Sequence, residues 1–154
     1  SVNDRNELRY QLLSLERNLG GLGFMQPSST YHQFAIGMTG GKMSSSQPET
    51  TMFLNDSMKT IEKKIKSSFS GGQSTAEEHR KKGGNPDVDV AYQYLRYFFE
   101  EDDKELERIR NEYTSGELLT GEIKAICIEK ASEWMKNHHE LKDQNQHLVK
   151  EFLN

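Results

Sequence analysis

Residues 87–99 read DVDVAYQYLRYFF and carry the most apolar helical face of the chain. The apolar residues recur at intervals of three and four, which places them along one side of an α-helix. They are Val88, Ala91, Tyr92, Leu95, Phe98 and Phe99. This spacing predicts a helix whose apolar face forms the centre of the hydrophobic core.

Helical patterns also flank this stretch, from residue 57 to the C-terminus. Asn55 or Asp56 is expected to cap a helix with the stripe Met58, Ile61, Ile65 and Phe69. The spacing Ser74-x-x-Glu77 predicts a capping box that starts a short helix. Further inward positions are Leu106, Ile109, Leu119, Ile123, Ile126, Cys127, Ala131 and Trp134, with Leu141, Leu148 and Phe152 as a possible extension. Residues 57–154 are therefore predicted to form an all-α helical bundle.

The N-terminal part has a different order of elements. Residues 6–19 carry Leu8, Leu12, Leu15 and Leu19 at helical spacing, and Gly20 and Gly21 are expected to end that helix. Residues 28–38 match a buried strand, and the loop 39–48 after it has glycines, hydroxyls and a lysine but almost nothing to bury. Residues 1–56 are thus predicted to be an α/β remnant, the second half of a nucleotide-binding domain, in a predominantly α-helical chain.

The composition of the chain indicates a soluble protein and argues against some classes of function. Of the 154 residues, 33% are hydrophobic and 29% are charged, as expected for a soluble helical protein. No run of about 18 apolar residues exists, and the N-terminus lacks a signal-peptide layout, so a cytoplasmic protein is expected. The net charge of −4 argues against a general nucleic-acid binder, because non-specific binding depends on cations. Cys127 is interpreted as a core residue.

The basic and the histidine-rich segments of the chain do not predict a binding site. The basic groups at 59–66 and 79–82 are interpreted as solvated helix faces. His138, His139 and His147 show no metal-ligand pattern, since adjacent histidines on a helix point about 100° apart. No protein-bound metal is predicted.

The loop GGKMSSSQ, residues 40–47, has the chemistry that a polyphosphate requires. When an α-phosphate is attacked, negative charge grows on the departing pyrophosphate, and a preorganised cation lowers the barrier. At about 4 Å, Lys42 would attract one phosphate charge by roughly 1 kcal/mol in water and about 4 kcal/mol at an effective dielectric constant near 20. Gly40 and Gly41 would permit loop closure, and the serines offer uncharged donors.

The motif KMSSS after paired glycines resembles the second signature loop of class I aminoacyl-tRNA synthetases. Three further stretches resemble the tryptophan–tRNA ligases of archaeal and eukaryotic type in order and spacing. These stretches are MFLND, FSGGQSTAEEHRKKGGNPDVDVAYQYLRYFFEEDD and EYTSGELLTGEIK. The resemblance covers residues 28–124, with weaker similarity on either side.

This resemblance implies a reaction and its site residues. Tryptophan and ATP, which arrives with Mg²⁺, would form tryptophanyl-adenylate, and the acyl group would pass to the cognate tRNA. Lys42, Ser44 and Ser45 would be catalytic, within an ATP-binding loop of Gly41, Lys42, Met43, Ser44, Ser45 and Ser46. The helical domain would read the anticodon through Gln73, Ser74, Arg80 and Lys124. The resemblance further implies that the full-length protein is a homodimer.

The sequence departs from the family pattern at its first signature. No histidine–glycine pair is present in the sequence. Asn3 and Asp4 lie where the family has an acidic strand end near the bound tryptophan, but they match that pattern poorly. The chain is therefore expected to be part of a longer enzyme and inactive alone. Two alternatives stay open: a stand-alone tRNA-binding or interaction module, and the related tyrosine–tRNA ligase.

Overall fold

The computed structural model describes residues 2–21, 30 and 35–148. Contacts divide the chain into two compact units, Ser1–Gln33 and Phe34–Asn154. The predicted domain boundary between residues 56 and 57 stays a prediction. The helices are α1 (Val2–Asn18), α2 (Met58–Lys66), α3 (Ala76–Lys82), α4 (Val90–Tyr94), α5 (Asp103–Ser115) and α6 (Thr120–Gln144). The described ranges contain no β-strand, and none of their helices has both the length and the apolar composition needed to cross a bilayer.

Helix α1 confirms the helix predicted near the N-terminus. It ends at Asn18, and Gly20 follows with a φ angle of +83°, a backbone conformation that glycine adopts without strain. The amide of Gly21 then donates to the carbonyl of Glu16 at 2.9 Å, which satisfies one of the last carbonyls of the helix. The prediction that Gly20 and Gly21 end this helix is confirmed.

The strand predicted over residues 28–38 falls mostly outside the described residues. Its described part, residues 30 and 35–38, contains no strand. Met38 is only 2% exposed and belongs to the core of the second unit. This end of the segment is therefore a buried connection to the helices.

Helix α2 has the predicted apolar stripe but a different cap. Ser57 is the N-cap, and its hydroxyl accepts the amide N–H of Thr60 at 3.2 Å, so the prediction of Asn55 or Asp56 is wrong. Asp56 instead accepts the ammonium of Lys64 at 2.6 Å. The helix ends at Lys66, and Phe69 beyond it is 50% exposed instead of continuing the stripe.

Helix α3 begins one residue later than the capping box predicted. The N-cap is Thr75, whose hydroxyl accepts the amide N–H of Glu78 at 3.1 Å. The sequence fits the box in two registers, Ser74 with Glu77 and Thr75 with Glu78. Spacing alone cannot choose between them, because both pairs have the same chemistry.

The core helix predicted from residues 87–99 exists as α4 and a π-helical turn, Leu95–Phe99. Ala91, Tyr92 and Leu95 are buried as predicted. Val88 and Phe98 are 43% and 50% exposed, so their assignment to the core is wrong. Val88 precedes the N-cap, and the wider π turn moves residues after Leu95 out of the α-helical register.

Helices α5 and α6 complete the core. Ile109 is fully buried and Leu106 packs against the core from the side, as predicted. On α6 the buried stripe is Ile123, Cys127, Ala131 and Met135, at strict intervals of four. Burial raises the pKa of the Cys127 thiol to about 12, which fits its predicted core position.

Three apolar residues of α6 and its continuation differ from the predicted inward pattern. Trp134, Leu141 and Leu148 are 41%, 59% and 39% exposed. Trp134 lies one position off the buried stripe, about 100° around the helix, and packs at the surface against Phe99 with ring centroids 6.3 Å apart. Phe152 lies outside the described residues.

A fully buried carboxylate joins three segments of the helical unit. Asp89 caps α4 by accepting the amide N–H of Tyr92 at 3.1 Å. Its other oxygen accepts the amide N–H of Gly71 at 2.9 Å and the hydroxyl of Tyr113 at 2.8 Å. The phenol is itself buried, and desolvation raises the pKa of Tyr113 to about 12. Because a buried carboxylate is tolerated only when its acceptors are satisfied, these three donors must stay in place.

Changing Asp89 to Asn tests this network. The variant should lose about 2–4 kcal/mol of unfolding free energy, because the amide N–H₂ would face either the amide N–H of Tyr92 or the two donors of Gly71 and Tyr113. Tyr113→Phe should lose about 1–2 kcal/mol. The control Asp87→Asn changes an exposed carboxylate paired with Arg110 and should cost about 0–1 kcal/mol. Urea denaturation measures all three, and equal losses at positions 87 and 89 would contradict the network.

Candidate functional site

The base of the loop predicted to bind ATP is a close crossing of backbone segments. The amide of Gly37 donates to the carbonyl of Gly41 at 2.6 Å, and the amide of Met38 donates to the carbonyl of Thr50 at 2.9 Å. A Cβ atom on Gly37 would lie 2.7 Å from that Thr50 oxygen. Glycine at position 37 therefore lets the two ends of the loop meet.

The residues predicted to meet phosphate differ in exposure. Lys42, Ser45 and Ser46 are exposed, whereas Met43 and Ser44 are half-buried. The hydroxyls of Ser44 and Ser46 lie 2.8 Å apart. Within the described part of the chain, Lys42 forms no hydrogen bond or ion pair, so its ammonium group is available to an anion.

The loop also has an inward face, which sequence reasoning missed. The hydroxyl of Thr50, a buried residue, accepts the amide N–H of Ser44 at 2.9 Å. Met43 packs against the hydrophobic core, with its Sδ atom 3.9 Å from the hydroxyl of Tyr94. Burial raises the pKa of Tyr94 to about 12, so this phenol is neutral at physiological pH. The expectation that the loop buries almost nothing is wrong at Met43 and Ser44, which are half-buried.

Next to Met43 lies an apolar cavity of about 280 Å³. Its lining comes from the loop, the segment after it, α4, the π turn and α6, and consists of Met43, Met52, Leu54, Tyr94, Tyr97, Phe98, Phe99, Trp134 and Met135. The loop is therefore in contact with the helices of its own unit.

A second connection joins the loop to the end of α2. The amide of Phe69 donates to the carbonyl of Met38 at 2.8 Å, and the amide of Val90 donates to the carbonyl of Phe69 at 3.3 Å. Gly40, with φ at +83°, lies against the ring of Phe69, where a Cβ atom would come within 2.8 Å of it. Backbone contacts thus run from the loop to the start of α4.

Two of the four residues predicted to bind tRNA lie together. Gln73 and Ser74 line a cavity of about 190 Å³ that also includes Leu119, Thr120 and Gly121 at the start of α6. The amide of Gln73 donates from Nε2 to the carbonyl of Gly83 at 3.0 Å, while Ser74 is exposed. The lining of this cavity offers hydroxyl and amide groups together with the imidazole of His79.

The other two, Arg80 and Lys124, do not line that cavity. The guanidinium of Arg80 donates to the carbonyls of Gly116, at 3.1 Å, and Glu117. The ammonium of Lys124 donates to the carbonyls of Ser68 at 2.6 Å and Lys66 at 3.0 Å, at the C-terminal end of α2. Burial lowers the pKa of Lys124, and the carboxylate of Asp89 opposes that shift. Both side chains hold backbone carbonyls in this structure.

Three of the described histidines make packing or hydrogen-bonding contacts within the fold. His79, which the sequence placed in a solvated basic cluster, is 2% exposed, and its Nε2 donates to the carbonyl of Leu118 at 3.0 Å. His138 stacks on Trp134 with an interplanar angle of 7°, and His139 donates from Nε2 to the carbonyl of Leu54 at 2.8 Å. Among the described residues no three His, Cys, Asp or Glu side chains converge as metal ligands.

Known proteins match most of the chain. Residues 8–138 match the family model of tRNA synthetases class I for tryptophan and tyrosine (W and Y). A protein of Sulfurisphaera tokodaii named tryptophan–tRNA ligase is 47% identical over 142 residues, which are 90% of this chain and 37% of that protein. The human cytoplasmic tryptophan–tRNA ligase is 44% identical over 86% of this chain and 29% of its own length.

A solved structure agrees with these similarities. The crystal structure of tryptophanyl-tRNA synthetase from Aeropyrum pernix K1 has a TM-score of 0.81 at 34% identity, over 90% of this chain and 39% of that one. The chain thus spans less than half the length of the relatives it matches.

Changing Lys124 to Met tests whether the hydrogen bonds from Lys124 to the carbonyls at the C-terminal end of α2 stabilise the fold. Methionine keeps most of the side-chain length but removes the ammonium donor at the end of α2, so the unfolding free energy should fall by about 1–3 kcal/mol. Lys136→Met on the same helix is the control, because Lys136 is 75% exposed and should change stability by less than about 0.5 kcal/mol. Thermal and urea unfolding provide the measurement. Equal stability of the two variants would exclude a structural contribution from Lys124.

Proposed function

The chain belongs to the class I tRNA synthetases of the tryptophan and tyrosine group, and from this membership we propose that it is part of a tryptophan–tRNA ligase. The full-length enzyme activates tryptophan with ATP to tryptophanyl-adenylate and pyrophosphate, and then transfers the acyl group to tRNA. The relatives support tryptophan over tyrosine, since those at 44–47% identity are named for tryptophan. A cytoplasmic location, by analogy with the human relative, is part of the proposal.

The observation that carries this proposal is the exposed Lys42, which has no hydrogen bond or ion pair among the described residues and lies on a loop whose neighbours are fixed. Pyrophosphate is the leaving group of adenylate formation, and its oxygens gain negative charge as the α-phosphate bond breaks. A lysine that needs no rearrangement of existing contacts can meet that charge directly. Ser45 and Ser46 beside it are exposed donors, and Ser44 and Met43 complete the loop with Gly41.

Magnesium would enter with ATP, because phosphate oxygens supply most of its ligands in such sites. The remaining ATP contacts, including the histidine–glycine signature absent from residues 1–154, would come from another part of the full-length protein. In this proposal, residues 1–56 are the end of the nucleotide-binding domain and residues 57–154 are the anticodon-reading domain. The 154 residues alone are accordingly proposed to lack aminoacylation activity, and the full-length protein to be a homodimer.

We place the RNA-reading side of the helical domain at the cavity of Gln73 and Ser74. Unpaired anticodon bases are read by hydrogen bonds to their exposed edges, and uncharged amide and hydroxyl groups serve that purpose. Arg80 and Lys124 stay candidates for phosphate contact, although each already binds two carbonyls. Their first contribution would be to hold the loops that flank the cavity.

The alternative is a stand-alone tRNA-binding module in which Lys42 has no partner. It predicts RNA binding without any tryptophan-dependent ATP–pyrophosphate exchange in the full-length protein. The same assay with tyrosine in place of tryptophan tests the tyrosine alternative.

Changing Lys42 to Ala in the full-length protein tests the proposed ATP loop. The rate constant of ATP–pyrophosphate exchange should fall by about a hundredfold to a thousandfold, as for loss of one preorganised donor to a developing oxyanion. Lys59→Ala is the matched control, since Lys59 is an exposed lysine on α2 and not part of the loop, and it should leave the rate unchanged. Equal activity of the wild type and Lys42→Ala would refute the assignment.

Replacing Gln73 and Ser74 together by alanine tests the tRNA side. Loss of two polar contacts should raise KM for tRNA roughly tenfold in aminoacylation, at about 0.5–1.5 kcal/mol per hydrogen bond. Tryptophan-dependent ATP–pyrophosphate exchange does not involve tRNA and should stay at the wild-type rate. A parallel loss in both assays would count against a specific role of this cavity, and a urea unfolding curve checks the bond from Gln73 to Gly83.

A further inference from the structure

The side chain of Thr50 fixes the second half of the KMSSS loop. Thr50 is 5% exposed, and it ends the 3₁₀ turn Pro48–Thr50 directly after the loop. Its hydroxyl oxygen lies 2.9 Å from the amide nitrogen of Ser44, 2.7 Å from the carbonyl oxygen of Gln47 and 3.2 Å from the carbonyl oxygen of Ser44. The backbone amide of Thr50 also donates to Gln47, at 2.9 Å.

The directions of these bonds follow from the chemistry of a hydroxyl group. The amide of Ser44 can only donate, so the Thr50 oxygen accepts its hydrogen. The single hydroxyl proton is then free to donate, and the carbonyl of Gln47 is the nearest acceptor. Thr50 therefore joins the first and last residues of the Ser44–Gln47 turn, which the amide of Gln47 closes with a bond of 3.1 Å to Ser44.

This arrangement fixes Lys42 between two anchors. Before it, the carbonyl of Gly41 is held by the amide of Gly37 at 2.6 Å. After it, the amide of Ser44 is held by Thr50. Only Lys42 and Met43 lie between, and Met43 turns inward to Tyr94 while Lys42 is exposed.

We propose that Thr50 is a positioning residue, which holds Ser44 so that Lys42 is directed outward to the phosphates of ATP. This inference rests on the function proposed above for the loop. The hydroxyl of Thr50 is buried and faces the loop interior, so it acts on the reaction through Ser44 and Lys42. Its loss would leave ATP able to bind but would allow Lys42 a wider range of orientations, which lowers kcat more than it raises KM.

The central test is Thr50→Val, which keeps the shape of the side chain but removes the hydroxyl. In the full-length protein, kcat of tryptophan-dependent ATP–pyrophosphate exchange should fall about tenfold to thirtyfold, while KM for ATP should rise by less than about threefold. Thr50→Ser retains the hydroxyl and should stay within about threefold of the wild type. Thr51→Val is the neighbouring control, because the hydroxyl of Thr51 makes only long contacts of 3.3 and 3.4 Å, and it should have little effect.

A double-variant comparison distinguishes positioning from general support of the fold. If Thr50 acts through Lys42, Thr50→Val should cause almost no further loss in a protein that already carries Lys42→Ala. A full additional loss in that background would overturn the inference. If Thr50→Val does not fold, Thr50→Cys keeps a small side chain with a weaker acceptor, and its kcat should fall between those of Thr50→Ser and Lys42→Ala.

The outcomes separate this inference from the function on which it rests. A wild-type protein without tryptophan-dependent exchange would overturn both. An active wild type with an equally active, folded Thr50→Val variant would overturn only the role of Thr50. Hydrogen exchange gives an independent check, since the amide of Ser44 should exchange faster in Thr50→Val than in the wild type.

Discussion

The buried carboxylate of Asp89 is the constraint on which the helical unit depends. It caps α4 and at the same time binds the turn after α2 and the phenol of α5, so three separate segments meet at two oxygen atoms. Glycine at position 71 allows the segments to approach this closely, because a Cβ atom there would lie 2.0 Å from the carbonyl oxygen of Asn85. A buried acceptor with all its donors supplied is compatible with a low-dielectric core, and any segment that moves away leaves an unsatisfied charge.

The same framework extends to the loop that carries Lys42. Phe69 lies two residues before Gly71, whose amide donates to Asp89. The backbone of Phe69 forms hydrogen bonds with Met38 at the loop base and with Val90 at the start of α4. Met43 adds a side-chain contact with Tyr94 of α4. The loop therefore has a fixed inner face and an exposed outer face. A cation presented from a fixed base can meet a developing charge with little reorganisation, which is the physical basis of the proposed catalysis.

Much of the candidate site was open to prediction, because its parts are consecutive in the chain. Lys42 and the serines form one short motif, and Gln73 and Ser74 are neighbours. The residues that sequence reasoning missed act across distance: Thr50 folds back on Ser44, and His79 bonds Leu118, 39 residues later. No pattern of threonine or histidine positions along a sequence indicates such a hydrogen bond. The caps at Ser57 and Thr75 were missed for a related reason, since several adjacent polar residues met the same local rule.

By itself, the sequence determined that this is a predominantly helical chain, which residues of each stripe face inward over most of α2, α4 and α6, and where the KMSSS motif lies. These properties follow from periodicity and from adjacent residues, both of which are local. Tertiary structure alone decided that Phe98 and Trp134 are exposed, that Lys124 binds the end of α2, and that Thr50 supports the loop. Each of these depends on which segments approach one another in space, and that outcome is set by close packing and by the satisfaction of buried polar groups across the whole core.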